Sequence, residues 1–232
     1  MHPGGRTVPP GPPMRPGGPF PGAPYGPPRR RGGGKVIGFL AGAVVLILVL
    51  AVGGYAAYLV RTSHELSTPP VADGLSRDPA AEASSEKLVE KLTSVIYAAA
   101  TDWAVKGTVS AVYGNGDERV LFVGVNGTHD LNDPQASFNS AVAAEFRDDG
   151  QTSYRPETSN PQDACGDGVA LITVIHTETR GPTGSTGSST TLAMWSTRTT
   201  FAIVTTIDIG TEIDRHKDLL AKMCDTRADV ES

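Results

Sequence analysis

Acidic residues are absent from the first 60 positions of this chain, and residues 36–60 contain no charge of either sign. Cysteine is scarce, with two residues in 232, and the five histidines are scattered. No two histidines have the spacing of metal ligands, and neither cysteine has a neighbouring ligand. These absences exclude a zinc site made of local cysteine and histidine motifs, and we predict no metal-binding residue.

Motifs of catalysis and phosphate binding are missing as well. Ser185 is preceded by glycine, but residue 183 is threonine where a nucleophile elbow requires glycine. The glycines around it lack the Lys-Ser/Thr pair of a phosphate loop. Asp130, Asn132 and Asp133 lack the glycine and the distal glutamate of a calcium loop, so a solvated turn is favoured. We therefore predict no catalytic residue, no cofactor-binding residue and no cofactor.

The uncharged segment is the feature around which the chain is organised. A helix that rises about 1.5 Å per residue needs roughly 20 apolar residues to cross a hydrocarbon core of about 30 Å. Residues 36–60 supply twenty-five, with Tyr55 and Tyr58 near the end where amphipathic rings favour the membrane interface. A buried core helix is rarely this long without a polar residue, and the apolar region of a cleaved signal peptide is shorter. We predict one transmembrane helix over 36–60, an uncleaved signal anchor.

The charges on the two sides of this segment predict its orientation. Residues 1–35 carry six basic residues and no acid, so residues 61–232 carry the other fourteen basic and all twenty-five acidic residues, a net charge of −11. Because short basic flanks stay in the cytoplasm, we place the N-terminus inside and the C-terminal domain outside the cell membrane. The acidic outer domain argues against a nucleic-acid partner.

The N-terminal tail differs in composition from the rest of the chain. Proline and glycine occupy twenty-one of its 35 positions, so it lacks the apolar residues that would offset the entropy of ordering. We predict that residues 1–35 are a disordered cytoplasmic tail. It either docks, to a partner that recognises proline-rich segments or to anionic lipid headgroups through its arginine cluster, or serves only as a solvated tail whose charges set the topology. The solvated tail is the favoured interpretation.

The residues after the span predict one α+β domain, 79–232, joined to the membrane by a connector, 61–78. Apolar residues three and four apart indicate helices, and β-branched runs indicate strands. Asp78-Pro79 and Asp133-Pro134 are typical of helix starts. Asn115-Gly116 between two apolar runs indicates a hairpin. Short connections favour a mostly antiparallel sheet of about five strands, packed by about three helices.

The predicted elements follow one another without an internal repeat. The helices are 79–104, 133–147 and 211–230. The strands are 108–113, 119–125, 169–177, 191–196 and 200–207. The strand at 169–177 is expected to be central because it is apolar on both faces in places. Residues 148–167 are polar and turn-rich and are predicted to be a loop. Residues 180–190, rich in glycine, serine and threonine, are predicted to be a flexible hairpin tip and the most mobile part of the outer domain.

Several segments resemble a known group of proteins. They are Leu66-Ser67-Thr68-Pro69 with Gly74 and Arg77, residues 109–114, residues 121–124 leading to Asp133-Pro134, and Met194-Trp195-Ser196-Thr197 through residues 200–204. With the tail, the basic cluster and the single span, they are similar to uncharacterised single-pass membrane proteins of actinobacteria, Streptomyces and its relatives. The resemblance implies an α+β extracytoplasmic domain. That family commonly has a cysteine two residues before the tryptophan and an aspartate two residues after it, where this chain has Ala193 and Thr197.

The two cysteines, Cys165 and Cys224, both follow the predicted span. Outside the cytoplasm the redox conditions permit a disulfide, and we predict that these two residues form one. It would hold the last helix over the sheet, and the loss of the family's usual cysteine at Ala193 fits this pairing. The alternative is two buried, reduced cysteines that behave as small apolar residues.

Three functions remain open for such a chain. The favoured one is a binding or sensing module of the cell envelope, anchored in the lipid bilayer and displaying its domain to an envelope ligand or partner. The second is a structural partner in an envelope complex, assembled through the span, where Gly38 and Gly42 fit a close helix contact. The third and least favoured is an enzyme without a recognisable motif.

Overall fold

A computed structural model describes residues 34–115, 118–148, 150–182, 184–207 and 215–232. The chain divides into two compact units, residues 1–51 and residues 52–232. Residues 1–33, which make up nearly all of the predicted disordered tail, lie outside the described residues.

The first helix, α1, runs over Gly34–Arg61 and includes the predicted span. Its side chains are described from Val44, so the predicted contact of Gly38 with Gly42 falls outside the described part. Among the helices of the described residues, none is long and apolar enough to cross a membrane.

The second unit contains a single antiparallel sheet, which has nine strands in the described residues. The strands are β1 (Val71–Ala72), β2 (Leu75–Arg77), β3 (Thr101–Asn115), β4 (Glu118–Asp130), β5 (Thr152–Thr158), β6 (Gln162–Asp163), β7 (Val169–Gly181), β8 (Gly184–Ser196) and β9 (Thr200–Thr206). Their order across the sheet is β1-β2-β3-β4-β9-β8-β7-β5, and β6 pairs with β7. The long hairpins β3–β4 and β7–β8 are joined through β9, which pairs with β4 on one side and β8 on the other.

Four helices follow α1 in the described residues. They are α2 (Pro79–Ser84), α3 (Glu86–Ala99), α4 (Pro134–Glu145) and α5 (Arg215–Val230). The buried residues of α3 and α4, such as Ile96 and Phe138, belong to the same hydrophobic cluster as the side chains on one side of the sheet. Leu219 and Met223 of α5 belong to the cluster on the other side, together with Leu66 of the connector. We call the two sides the α3–α4 face and the α5 face.

Side chains alternate between these faces along each strand, as pleating requires. In β7, Leu171 and Ile175 pack on the α3–α4 face, whereas Ala170 and Ile172 pack on the α5 face. Because helices cover both sides, the buried parts of the strands are almost continuously apolar. That explains the apolar run at 169–175, which only Thr173 interrupts, without requiring that β7 be central.

The fold class is confirmed: the chain is α+β with a mostly antiparallel sheet. The hairpin at Asn115 is also confirmed, because β3 and β4 pair down to Asn115 opposite Glu118. So are two helix starts. The Asp78 side chain accepts hydrogen bonds from the backbone N–H groups of Ala80 and Ala81, and Asp133 accepts one from Ala136.

The number of elements was underestimated. The sheet has nine strands in the described residues, not about five, and four helices follow α1, not about three. The predicted loop 148–167 holds β5 and β6, and the predicted hairpin tip 180–190 does join two antiparallel strands but is mostly their paired ends, β7 and β8. Backbone pairing needs no apolar side chain, so polar segments rich in threonine, serine and glycine formed strands that hydrophobic periodicity did not reveal.

The helix predicted over 79–104 is also wrong in its extent. It is broken at Ser85, and α3 ends at Ala99 because Ala100 is already extended. Trp103, four residues after Ala99, continues the helical spacing in sequence but lies in β3. Finally, β7 is not central: it lies next to the edge strand β5, and β4 and β9 occupy the middle of the sheet.

Candidate functional site

One end of the domain is fastened to the connector by main-chain pairing. The backbone N–H of Glu65 donates a hydrogen bond to the Ser232 carbonyl, with an N···O distance of 2.9 Å. The backbone N–H of Ser232 donates to the Glu65 carbonyl at 3.1 Å. Ser67 N donates to the Val230 carbonyl over 2.7 Å. The connector therefore lies beside the C-terminal residues as a short antiparallel pair. We call this region, residues 62–67 with residues 196–200 and 227–232, the connector clamp.

A buried asparagine completes the pairing of the connector with the sheet. Asn126, in β4, accepts a hydrogen bond from Leu66 N at 2.7 Å and donates one to the Leu66 carbonyl at 2.9 Å. The Leu66 side chain is 2% exposed and lies over Gly124, where any Cβ would collide with its Cδ1. Glycine at this position thus lets the connector approach the sheet closely.

Arg198, in the turn between β8 and β9, contacts the last residues of α1. Its guanidinium donates to the Leu59 carbonyl at 3.3 Å, to Thr62 Oγ1 at 3.2 Å and to Ser63 Oγ at 2.8 Å. The Leu59 carbonyl also accepts a hydrogen bond from Ser63 Oγ at 2.6 Å, and the cation beside it complements the negative end of the helix dipole. The end of α1 is therefore bound to the domain by side-chain contacts as well as by the connector.

Arg227 of α5 is the charged centre of the clamp and is 6% exposed. Its guanidinium forms ion pairs with Glu231 and with Asp167 Oδ1, the latter at 3.0 Å. It also donates to the backbone carbonyls of Ala164 and Asp167. The Asp167 carboxylate lies 3.0 Å from His64 Nε2. Because each buried charge has partners, the network joins the connector, the loop before β7 and the last helix.

The disulfide lies next to this network. Cys165 and Cys224 are bonded, with their Cα atoms 5.7 Å apart, so the predicted pairing is confirmed. Cys165 belongs to the loop that carries Ala164 and Asp167, and Cys224 is one turn before Arg227. The crosslink and the buried ion pairs therefore hold the same loop against α5.

A second polar cluster, at the end of the α3–α4 face, contains His129. Its Nε2 is 2.8 Å from Ser196 Oγ, and its Nδ1 is 3.2 Å from the Gly127 carbonyl. A carbonyl only accepts, so Nδ1 carries the proton and Nε2 accepts from the serine. Burial lowers the pKa of His129, which favours this neutral form.

The geometry of this pair does not expose a nucleophile. Ser196 is 5% exposed, and the Trp103 ring stacks on the imidazole with 4.4 Å between ring centres. Phe201 packs beside both rings. The arrangement stabilises the end of the sheet and supports no reaction as it stands.

An open depression lies at the other end of the sheet, over strands β5, β7 and β8. Its volume is about 600 Å³. It is lined by Ser153, Arg155, His176, Thr177, Glu178, Ser185, Gly187, Ser188 and Ser189. The pairing register places Arg155, His176 and Ser189 in one row across the strands, and Ser153, Glu178 and Gly187 in the next.

These rows lie on the α5 face, because His176 and Glu178 continue the alternation that places Ile172 there. His176 Nδ1 is 3.1 Å from Ser189 Oγ, and its Nε2 is 4.0 Å from Glu157. The floor of the depression is formed by small residues such as Gly187, and charged side chains lie beside it. The depression can take a polar ligand or segment through hydroxyl and main-chain groups, and we call it the distal depression.

Sequence reasoning found the cysteine pair but not the clamp or the distal depression. Arg227, Asp167 and His64 are far apart in the chain, and their types are common on surfaces, so nothing local marks them. Within the described residues, no group of three or more histidine, cysteine, aspartate or glutamate residues could hold a metal ion. Comparison with protein-family models, with curated proteins and with solved structures finds no match for this chain.

Proposed function

We propose that this protein is a membrane-anchored binding or sensing module that displays its α+β domain outside the cytoplasm. One observation carries the proposal: the connector clamp and the distal depression lie at opposite ends of the same strand, β8. Nine residues separate Gly187 from Ser196, and at about 3.3 Å per residue that distance is roughly 30 Å. The domain is thus held at one end and open to a ligand at the other.

The helix that precedes the clamp supports the anchoring part of the proposal. Its large apolar side chains are well exposed where they are described, for instance Leu50 at 65% and Val60 at 79%. Exposed apolar surface of this kind is favourable only when something apolar covers it. In the proposal, residues 36–60 cross the bilayer and hydrocarbon chains cover them.

The charge distribution and the disulfide support the orientation. Six basic residues without an acid precede the helix, and the domain beyond it carries the net charge of −11. A disulfide such as Cys165–Cys224 persists in an oxidising compartment. Both features agree with a tail in the cytoplasm and a domain outside. Membership of the actinobacterial membrane-protein family is part of the same proposal.

Cysteine labelling in intact cells tests the topology. Gly18→Cys places a thiol in the tail, and Thr190→Cys places one at an exposed position of β8, on the α3–α4 face of the sheet. An impermeant maleimide should label Thr190→Cys and leave Gly18→Cys unlabelled until the cells are permeabilised. Labelling of Gly18→Cys in intact cells would contradict the proposed orientation.

A charge in the apolar helix tests the anchoring separately. Leu48→Arg introduces a cost of roughly 2.5–3.5 kcal/mol at the centre of a membrane helix. We expect the variant to be lost from the carbonate-washed membrane fraction or to be retained less well, whereas Asn160→Arg, at an exposed position between β5 and β6, should behave as the wild type. Equal retention of both variants would count against a transmembrane anchor.

A further inference from the structure

In the described residues several stretches of strand have no neighbouring strand on one side, residues 101–111 of β3 among them. Two of these stretches, on the half of the sheet that holds the distal depression, differ in how they are protected. One is β5, the edge strand beside β7. The other is the distal half of β8, residues 184–190, because β9 accompanies β8 only from Leu192 to Ser196. Proteins usually protect exposed strand edges, since unpaired N–H and C=O groups invite another strand.

The edge of β5 is protected at successive positions. Arg180 N donates to the Gln151 carbonyl and Ser159 N to Ile172, so odd-numbered residues face β7 and even-numbered residues face outward. Of the outward residues, Tyr154 N already donates to Asp148, and Pro156 has no N–H. The carbonyl of Thr158 accepts from Gln135. A strand adding here would find these groups occupied or missing.

The distal half of β8 has no such protection in the described part of the chain. The β7–β8 register directs the main-chain groups of Ser185, Gly187 and Ser189 away from β7. Residues 184–190 contain neither proline nor charge, and most of them are exposed. The Thr191 carbonyl, at the end of the part of β8 that pairs with β9, accepts a hydrogen bond from Thr205 Oγ1. At roughly 3.3 Å per residue, residues 184–190 are about 20 Å of open edge, and the three outward residues lie within about 13 Å of it.

The open edge borders the distal depression. A residue paired with Gly187 would place its side chain on the α5 face, in the row of Gly187 and Glu178. Glycine presents no side chain there, so a long side chain could lie across it toward the exposed Glu178 carboxylate. No ion pair involves Glu178 among the described residues, and the domain is strongly acidic. A basic side chain is therefore the complementary one.

We propose that the distal edge of β8 binds an extended, proline-free segment of a partner protein, which adds as a strand beside Ser185, Gly187 and Ser189 with a basic side chain opposite Gly187. Main-chain hydrogen bonds supply the affinity, and the depression supplies the preference for side chains. This inference rests on the proposed binding function and names its partner class.

A second copy of the chain is the less suitable occupant. A symmetric pair of identical edges is antiparallel, so it turns the second domain end for end. The two connector clamps would then lie at opposite ends of the pair. Two copies anchored in one membrane need their clamps on the same side, which this pairing does not give.

The test uses the full chain in lipid nanodiscs and a fluorescent nine-residue peptide of alternating threonine and valine with a central lysine. Fluorescence anisotropy should show saturable binding. The decisive comparison uses two peptides, one methylated at the odd-numbered and the other at the even-numbered backbone nitrogens. In a given register only one of these two sets of N–H groups faces β8. Methylation of one set should weaken binding about tenfold or more, and methylation of the other set should leave it nearly unchanged. Equal binding of both methylated peptides would overturn the proposal.

Variants of the protein locate the site. Gly187→Pro removes an outward N–H and should weaken binding about tenfold, as expected for a lost main-chain hydrogen bond. Gly187→Ala keeps the N–H, and its Cβ would lie 3.9 Å from the Thr177 carbonyl, an ordinary contact. Clearly tighter binding by Gly187→Ala than by Gly187→Pro therefore assigns the loss to the N–H. Glu178→Gln should reduce the preference for lysine over glutamine in the peptide. A Gly187→Pro protein that unfolds as the wild type does but binds equally well would refute the proposed edge.

Other occupants give different results. If the chain dimerises in light scattering and Gly187→Pro abolishes the dimer, the occupant is a second copy and the proposal is wrong. If the peptide binds only after residues 208–214 are replaced by glycine and serine, the chain's own segment occupies the edge, which also overturns it. Maleimide labelling of Gly18→Cys and Thr190→Cys in intact cells tests the topology independently, so a failure of the topology is distinguished from these outcomes.

Discussion

Asn126 and Leu66 are joined by a pair of hydrogen bonds that resembles a rung of a β-ladder, with a side-chain amide in place of one backbone. The amide oxygen of Asn126 accepts from Leu66 N at 2.7 Å, and its nitrogen donates to the Leu66 carbonyl at 2.9 Å. Both residues are buried. The relationship explains how a connector that enters no long strand is nevertheless held in register on the sheet.

Asn126→Ala should release the connector from the sheet. It leaves the N–H and the carbonyl of Leu66 buried without partners, which costs about 1–3 kcal/mol. Urea denaturation of the solubilised full chain should show this loss, and hydrogen exchange should accelerate at Leu66. Asn160→Ala, at an exposed position, is the matched control and should change neither measurement. Unchanged exchange at Leu66 in Asn126→Ala would show that main-chain pairing with Val230 and Ser232 is sufficient.

The buried ion pairs of Arg227 predict a large effect of a single substitution. Arg227→Met leaves the Glu231 carboxylate, whose side chain is 4% exposed, without its cation. Breaking a buried pair in this way costs about 3–5 kcal/mol. Arg227→Met/Glu231→Leu removes both charges and should recover part of the loss. Arg77→Met, which breaks the partly exposed pair with Glu82, should cost no more than about 1 kcal/mol. Similar losses in the two single variants would contradict the buried network.

Removal of the disulfide should lower the free energy of unfolding substantially. The crosslink joins residues 59 apart in sequence. The chain-entropy model gives roughly 4 kcal/mol for a loop of this size, as an upper figure. Cys224→Ser should therefore lower the urea midpoint, and added reductant should lower the wild type to a similar value. Membrane insertion should not change. Mass spectrometry that finds both thiols free in the unreduced protein would refute the crosslink.

The environment of His129 predicts a dependence of stability on pH. Burial lowers the pKa of this imidazole in the folded chain from its ordinary value of 6.5. Between the two pKa values the unfolded chain binds the proton and the folded chain does not, so the unfolding free energy falls as pH decreases. Above about pH 7 the imidazole is neutral in both the folded and the unfolded chain, so His129 no longer lowers the unfolding free energy.

His129→Gln should reduce that dependence. Melting temperatures at pH 7.5 and pH 5.5 measure it, and the wild type should lose more on acidification than the variant. His176→Gln, which removes a more exposed imidazole, controls for the loss of a histidine as such. If His129→Gln and His176→Gln flatten the profile equally, burial of His129 is not its origin.

Local sequence chemistry predicted those elements whose signals lie within a few residues. Asp133 before Pro134 is one example, since an N-cap followed by proline fixes a helix start whatever surrounds it. Asn115-Gly116 is another, because a turn signal of this type between two apolar runs predicts that the flanking strands pair, as β3 and β4 do. The pairing of Cys165 with Cys224 followed from there being only two cysteines. In contrast, Trp103 continued a helical spacing and still became part of β3, because pairing with β4 outweighed the local pattern.

The sequence by itself determined the α+β class, the two helix caps, the hairpin at Asn115 and the cysteine pair, because each depends on neighbours in the chain or on a count. Tertiary structure decided the rest. The polar residues around 180–190 form the paired ends of β7 and β8, because main-chain hydrogen bonds between strands do not require apolar side chains. Contacts across long separations, Asn126 with Leu66 and Arg227 with Asp167, formed the clamp. The distal depression exists only because three strands place Arg155, Glu178 and Gly187 on one face, an arrangement that depends on register and not on any local pattern.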